Sequence, residues 1–169
     1  FALQTGLSLL AMRLVYRYAE KRFGATTGIW ILLLQVVYPE LIYACCTVGP
    51  TVCFHLLMAG ILYFFSERRQ PIFVGILSGL LVLMRSEAIL PIGLMLMLAF
   101  LAGERKSVLI SGITLLLCIS PWLIRNQLVF GKPMLSASVG VNFFRGNNAG
   151  EIGEWPVLPA SEMEALKET

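Results

Sequence analysis

The sequence predicts an all-α integral membrane protein, a polytopic helical bundle of about six spans followed by a short extracytoplasmic tail. Three observations carry that prediction. The 169 residues are 57% hydrophobic and 14% charged, with a mean hydropathy of +0.80, whereas a soluble domain carries roughly 25% charged residues. The apolar residues fall in blocks of about 14 to 20, close to the length that crosses a bilayer core of about 30 Å. Short clusters of Arg, Lys, Glu and Pro separate the blocks.

The elements follow from those clusters. A first span runs from Phe1 to about Val15, and the basic stretch Arg13, Arg17, Lys21, Arg22 reads as the loop after it. Ala25 to Tyr43 forms the second span and Thr51 to Phe65 the third, with Gly49-Pro50 in the connection. Ser66-Glu67-Arg68-Arg69-Gln70 closes the third span. The fourth is Pro71 to Met84 and the fifth Ala88 to Ala102; Gly103-Glu104-Arg105-Lys106 then leads to the sixth, Val108 to Ile124. A single helix from Pro71 to Ala102 is the alternative. At 1.5 Å per residue it would be about 48 Å long, and it would place Arg85 and Glu87 near the bilayer centre at roughly 2.5 to 3.5 kcal/mol each. A break at Arg85-Ser86-Glu87 avoids that cost, at the expense of two short spans.

Alternating sides sorts the charges. Arg13, Arg17, Lys21, Arg22, Arg68, Arg69, Arg105 and Lys106 fall on one face, while Arg85, Arg125, Lys132 and Arg145 fall on the other. The positive-inside rule makes the first face cytoplasmic. The chain is thus expected in the plasma (inner) membrane, with residues 1–125 as the transmembrane region. Residues 126–169 form an extracytoplasmic loop and the start of a helix. In that tail Gly131-Lys132-Pro133 and Gly146-Asn147-Asn148-Ala149-Gly150 are turn chemistry. Val139 to Phe144 reads as a short strand or a surface-packed loop, and Ser161 with Glu164 fits a capping box. Phe1 lies inside an apolar stretch and Thr169 partway into a helix, so the chain is expected to be a piece of a longer protein.

Nucleic acid is excluded as a partner because the basic residues punctuate apolar segments and form no stripe. The four cysteines, Cys45, Cys46, Cys53 and Cys118, lie in apolar segments without metal-ligand spacing to His55, the one histidine. They read as packing residues. No metal or cofactor is expected.

The polar residues of the outward face are the candidate site: Arg85, Glu87, Arg125, Asn126, Asn142, Arg145, Asn147 and Asn148. Arginine's planar fork holds phosphate oxygens bidentately and keeps its charge. Asn offers donors and an acceptor to sugar hydroxyls, and aromatic faces stack on pyranose rings. Each also has a plainer reading. Arg85 and Glu87 fit an interfacial ion pair, Trp122 an interfacial anchor and Asn147-Asn148 a turn, while Arg125 fits either class. His55 reads as a packing residue, and Glu40 after Pro39 as the end or cap of a helix.

Two stretches carry a resemblance. GILSGLLVLMRSEAILPIGLMLML resembles the G-x-x-x-G-L-x-x-L-x-R-x-E-A region of polytopic C-type (GT-C) glycosyltransferases. PWLIRNQLVFGKPMLSASVGVNFFRGNNAG resembles the P-W-x-x-R-N…G-N-N stretch after a later span of the same proteins. These form the superfamily of dolichyl-phosphate-mannose protein mannosyltransferases and their bacterial relatives, including the transferase that puts aminoarabinose on lipid A. The resemblance implies an enzyme that moves a sugar from a polyprenyl-phosphate donor in the membrane to a glycan, lipid or protein acceptor on the extracytoplasmic side. Arg85 and Glu87 match the R-x-E positions, Arg125 and Asn126 the R-N pair, and Asn147 and Asn148 the G-N-N positions. The family's general base is a carboxylate, usually Asp, in a loop that would precede Phe1, and this chain has no Asp. Gly49 stands before Pro50, where relatives often have an acidic residue. A transporter or lipid flippase is the competing reading, and a non-catalytic membrane protein or inactive relative is the third, kept open by the missing acidic positions. Transport calls for polar or broken positions near mid-membrane and a pseudo-symmetric repeat, and the sequence displays neither.

Overall fold

A computed structural model of the chain describes residues 1–47, 49–67 and 70–136. These residues are helical apart from short connections, and no strand occurs among them. The chain divides into two compact units, Phe1–Leu135 and Ser136–Thr169. The architecture below is that of the first.

Helix α1 (Ala2–Phe23) ends at Gly24, whose φ of 92° suits glycine and turns the chain into α2 (Ala25–Val37). Pro39 then holds Tyr38 extended and opens α3 (Pro39–Cys46) at a 55° bend to α2. Helix α4 covers Thr51–Glu67, and α5 (Pro71–Met84) again begins on a proline, whose missing N–H costs nothing in a first turn. Arg85 is extended, Ser86–Ala88 make one 3₁₀ turn, and α6 (Ile89–Leu101) follows. Helix α7 (Arg105–Phe130) stops at Gly131 in the left-handed conformation. Inside α7, Pro121 cannot donate to the Leu117 carbonyl, which accepts instead from Ser120 Oγ at 3.0 Å.

Cross-helix contacts fix the directions. Gln4 reaches Gly49 and Lys21 pairs with Glu67, so α1 runs parallel to α4. Gly60 faces Leu77 and the Phe64 and Phe73 rings stack, so α4 runs antiparallel to α5. Pro71 meets Ser111, and Gly79 meets Cys118, so α5 and α7 are parallel. The bundle therefore has two ends. One carries Arg17, Lys21, Glu67, Arg105 and Lys106; the other carries Phe54, Arg85, Glu87, Arg125 and Lys132.

Small residues set the closest approaches. A Cβ at Gly75 would lie 2.6 Å from the Ser111 carbonyl oxygen, and one at Gly79 2.6 Å from Cys118 Cβ. Ser111 Oγ closes the seam by donating to the Pro71 carbonyl at 2.9 Å. A Gly-xxx-Gly face seated on a neighbouring backbone is the way helices pack where the surroundings are as apolar as the side chains. Around this seam Ile61, Leu81, Val82, Ile92 and Ile119 form the buried core. The outer surface is apolar too: large side chains such as Leu3, Trp30, Leu34, Leu90 and Leu128 stand more than 60% exposed.

Among the described residues one helix, α7, is long and apolar enough to cross a membrane; the bent pair α2–α3 becomes a second if it is one span. The expected set of six spans of crossing length is not found among the described residues. Helices α4, α5 and α6 are apolar but hold 17, 14 and 13 residues, hence reach only about 26, 21 and 20 Å. Helix α1 is long enough, but its polar residues make it too hydrophilic: the expected basic loop is part of the helix, since nothing between Val15 and Gly24 breaks it. Arg13 and Arg17 point outward from its exposed side. The second predicted span is broken at Pro39 rather than continuous. The sixth does not end at Ile124 but runs on to Phe130, which places Arg125 and Asn126 within a helix. The break at Arg85-Ser86-Glu87 is present as expected.

Candidate functional site

The end of the bundle bearing Arg85 is built from three termini. Helix α5 stops at Met84 because Arg85 turns extended, and the 3₁₀ turn that follows lifts Glu87 to the surface while Ala88 is buried beneath it. The antiparallel α4 brings Phe54 to the same level. An open cavity of about 390 Å³ lies here, lined by Phe54, Arg85, Glu87, Ala88 and Pro91. The Arg85 guanidinium carbon sits 5.5 Å from the centre of the Phe54 ring. That contact seats the cation on the ring, and Arg85 lines the cavity beside Glu87. Arg85 and Glu87 are not an ion pair, and no carboxylate pairs with Arg85 among the described residues.

Arg125 occupies the same end on α7, because α5 and α7 run parallel with a register of about forty residues. Its guanidinium lies 5.3 Å from the Trp122 ring and 5.4 Å from the Phe130 ring. Its Nη1 donates to Asn126 Oδ1 at 2.9 Å, and it too lacks a carboxylate partner among the described residues. Arg125 does not line the cavity that Arg85 and Glu87 line.

Asn126 has a different task from the sugar contact expected of it. It is 3% exposed, and its Nδ2 donates to the Met134 carbonyl at 2.7 Å. One helical turn earlier, Trp122 Nε1 donates to the Leu135 carbonyl at 3.1 Å. Together the two side chains clasp the segment after Gly131 back onto α7, with Leu135 packed against the core. The polar groups of Asn126 are spent on the fold. Trp122, expected as an interfacial anchor, also makes one of these clasping bonds. Asn142, Arg145, Asn147 and Asn148 lie outside the described residues, as do the expected strand at Val139–Phe144 and the capped helix from Ser161.

Phe54, Ala88 and Pro91 are the cavity residues that sequence reasoning does not find. Phe54 is next to His55, the residue that draws attention there, but only the antiparallel pairing of α4 with α5 turns it into the seat of Arg85. His55 itself is half-buried, with Nδ1 buried and unbonded. Glu40 begins a helix rather than ending one, in the first turn of α3 where a carboxylate meets the positive end of the dipole.

Comparison with known protein families, with characterised proteins and with solved structures finds no match to this chain.

Proposed function

We propose that this chain is the membrane part of a multi-pass glycosyltransferase of the plasma (inner) membrane, moving a sugar from a polyprenyl-phosphate donor to an extracytoplasmic glycan, lipid or protein. The observation that carries this reading is a pair of arginines, Arg85 and Arg125, at one end of an apolar bundle, neither ion-paired with a carboxylate among the described residues. A cation outside any ion pair at that depth is costly and suits an anionic partner that arrives through the membrane. A lipid-linked phosphate has that charge at that depth. Donors aimed at a phosphate stabilise it most when it leaves, because the bond to the sugar breaks with development of negative charge on its oxygen. In this reading Arg85 holds the phosphate in the cavity and Glu87 borders the acceptor side, while no residue of this chain serves as general base. Six passes across the bilayer require the short helices to work with local thinning of the lipid.

The test is sugar transfer from a polyprenyl-phosphate donor by the full-length protein carrying Arg85→Ala or Arg125→Ala. Loss of transfer in either variant with normal membrane expression supports the assignment; unchanged kinetics in both remove it.

Transport is the second reading, and the bend at Pro39 favours it: α2 and α3 form a broken segment, and Gln35 one turn before the break has a buried, unbonded Oε1. Uptake of a polyprenyl-phosphate sugar into vesicles that is abolished by Gln35→Leu, without any transfer activity, would favour transport over transfer.

A further inference from the structure

Among the described residues three groups hold the Arg125 guanidinium: the rings of Trp122 and Phe130, and the side-chain oxygen of Asn126. Two of the three are held in turn by the chain just past α7. Trp122 Nε1 donates to the Leu135 carbonyl at 3.1 Å, and Asn126 Nδ2 donates to the Met134 carbonyl at 2.7 Å. These are consecutive carbonyls of one short strap, Gly131–Leu135. The strap leaves α7 through the left-handed Gly131 and turns on itself, the Met134 N–H donating to the Lys132 carbonyl at 3.0 Å. Leu135 packs its far end against the core.

The chemistry of the Asn126 amide makes the two bonds interdependent. A guanidinium only donates and a backbone carbonyl only accepts. Both neighbours therefore select the same amide orientation, Oδ1 to Arg125 and Nδ2 to Met134. The Arg125 bond is also unusual for a helix, where side chains at adjacent positions diverge. It forms because the exposed Arg125 folds round toward the side on which Asn126 is buried. An exposed arginine ordinarily loses rotamer freedom when it grips an anion, and one already held loses less.

We propose that Asn126 is a positioning residue for Arg125, through which a phosphate anion on Arg125 and docking of the Gly131–Leu135 strap stabilise one another. With the strap docked, the amide is fixed with its oxygen toward the guanidinium, and Arg125 is set before the anion arrives. The anion in turn orders Arg125, which holds the amide in the orientation that bonds Met134. Coupling of this kind is reciprocal: whatever the strap adds to anion affinity, the anion adds to strap docking. The proposal rests on Arg125 meeting a phosphate, as in the proposed function.

The experiment uses the full-length protein in detergent micelles, titrated with a polyprenyl monophosphate and, in a parallel arm, with inorganic phosphate. Hydrogen exchange is followed over the strap, where the Gly131 and Met134 amides are hydrogen-bonded. Saturating polyprenyl monophosphate is expected to slow that exchange about fivefold, and Asn126→Ala to weaken its binding by about the same factor, the lower end of coupling between two sites. Slowing by both probes supports the coupling and assigns it to the phosphate itself; slowing by the lipid alone supports it for a membrane-borne phosphate. Arg125→Ala leaves the Asn126–Met134 bond available, so its strap is expected to stop responding to either probe. Asn126→Asp keeps the shape of the side chain but sets a carboxylate oxygen against the Met134 carbonyl and an ion pair on Arg125. Its strap is expected to exchange faster and its phosphate affinity to fall further than in Asn126→Ala. A clasp that serves the fold alone gives a different pattern: faster strap exchange in both Asn126 variants with phosphate affinity unchanged. That pattern overturns the proposal, as does phosphate binding to the wild type without slower strap exchange, or a strap that still responds in Arg125→Ala; each leaves the proposed function standing. Absence of binding of either probe to the wild type overturns both.

Discussion

The two ends of the bundle use the same kind of residue in opposite ways. At one, Lys21 and Arg17 are answered by Glu67 and Glu20, and the charges nearly cancel within the protein. At the other, Arg85 and Arg125 lie on the rings of Phe54, Trp122 and Phe130, with no carboxylate partner among the described residues. An aromatic face steadies a guanidinium and confines its rotamer, yet leaves nearly all of its charge to act outward. A carboxylate would quench it. The contrast teaches that charge count separates the ends poorly, whereas the identity of the partner separates them well: paired cations tie one helix to another, and ring-seated cations keep their charge unpaired.

The strongest way to break this comparison is to disturb the seam that brings the two arginines to one end. Gly75→Leu drives a side chain into the Ser111 carbonyl, and a cost of about 3 kcal/mol or more is expected. The readout is the thermal midpoint in detergent, which should fall well below that of the wild type, with Gly112→Ala as a control because nothing lies within 4 Å of its Cβ position. Next in size is Arg85→Ala, with a loss of about a hundredfold in transfer, or about 2.7 kcal/mol in the transition state. Arg85→Lys keeps charge without the planar fork, so partial recovery in transfer kinetics would sharpen the ring-seated picture, and full recovery would break it. Asn126→Ala exposes the role of the clasp: it strands the Met134 carbonyl and should cost about 1 to 2 kcal/mol. Faster proteolysis after Gly131 would report it. Smallest is the paired end. Lys21→Met should cost about 0.5 kcal/mol or less in thermal stability, since the pair is part-exposed and screened by salt.

Several elements are legible in the amino-acid sequence alone. The bounds of α5 at Pro71 and Met84 follow from a proline that can only begin a helix and an arginine that apolar surroundings reject. The break at Arg85-Ser86-Glu87 follows from the same cost of charge. The two charge-bearing ends are legible as well, because alternation along the chain already sorts Arg85 and Arg125 from the basic clusters. Other boundaries mislead. Charges in α1 and at the end of α7 suggest loops, yet a charge on an exposed helical position breaks no hydrogen bond, and both helices run on until a glycine stops them.

The sequence by itself determined the start of α5 at Pro71 and the break at Arg85-Ser86-Glu87, since proline geometry and the cost of charge among apolar residues act within a few residues. Only the tertiary structure decided which helices meet and at what height. That register depends on how Gly75 and Gly79 fit against Ser111 and Cys118 nearly forty residues away. It placed Phe54 under Arg85, and the return of the chain after Gly131 spent Asn126 on Met134. Contacts of that kind arise from shape and hydrogen bonding between surfaces, and no local pattern encodes them.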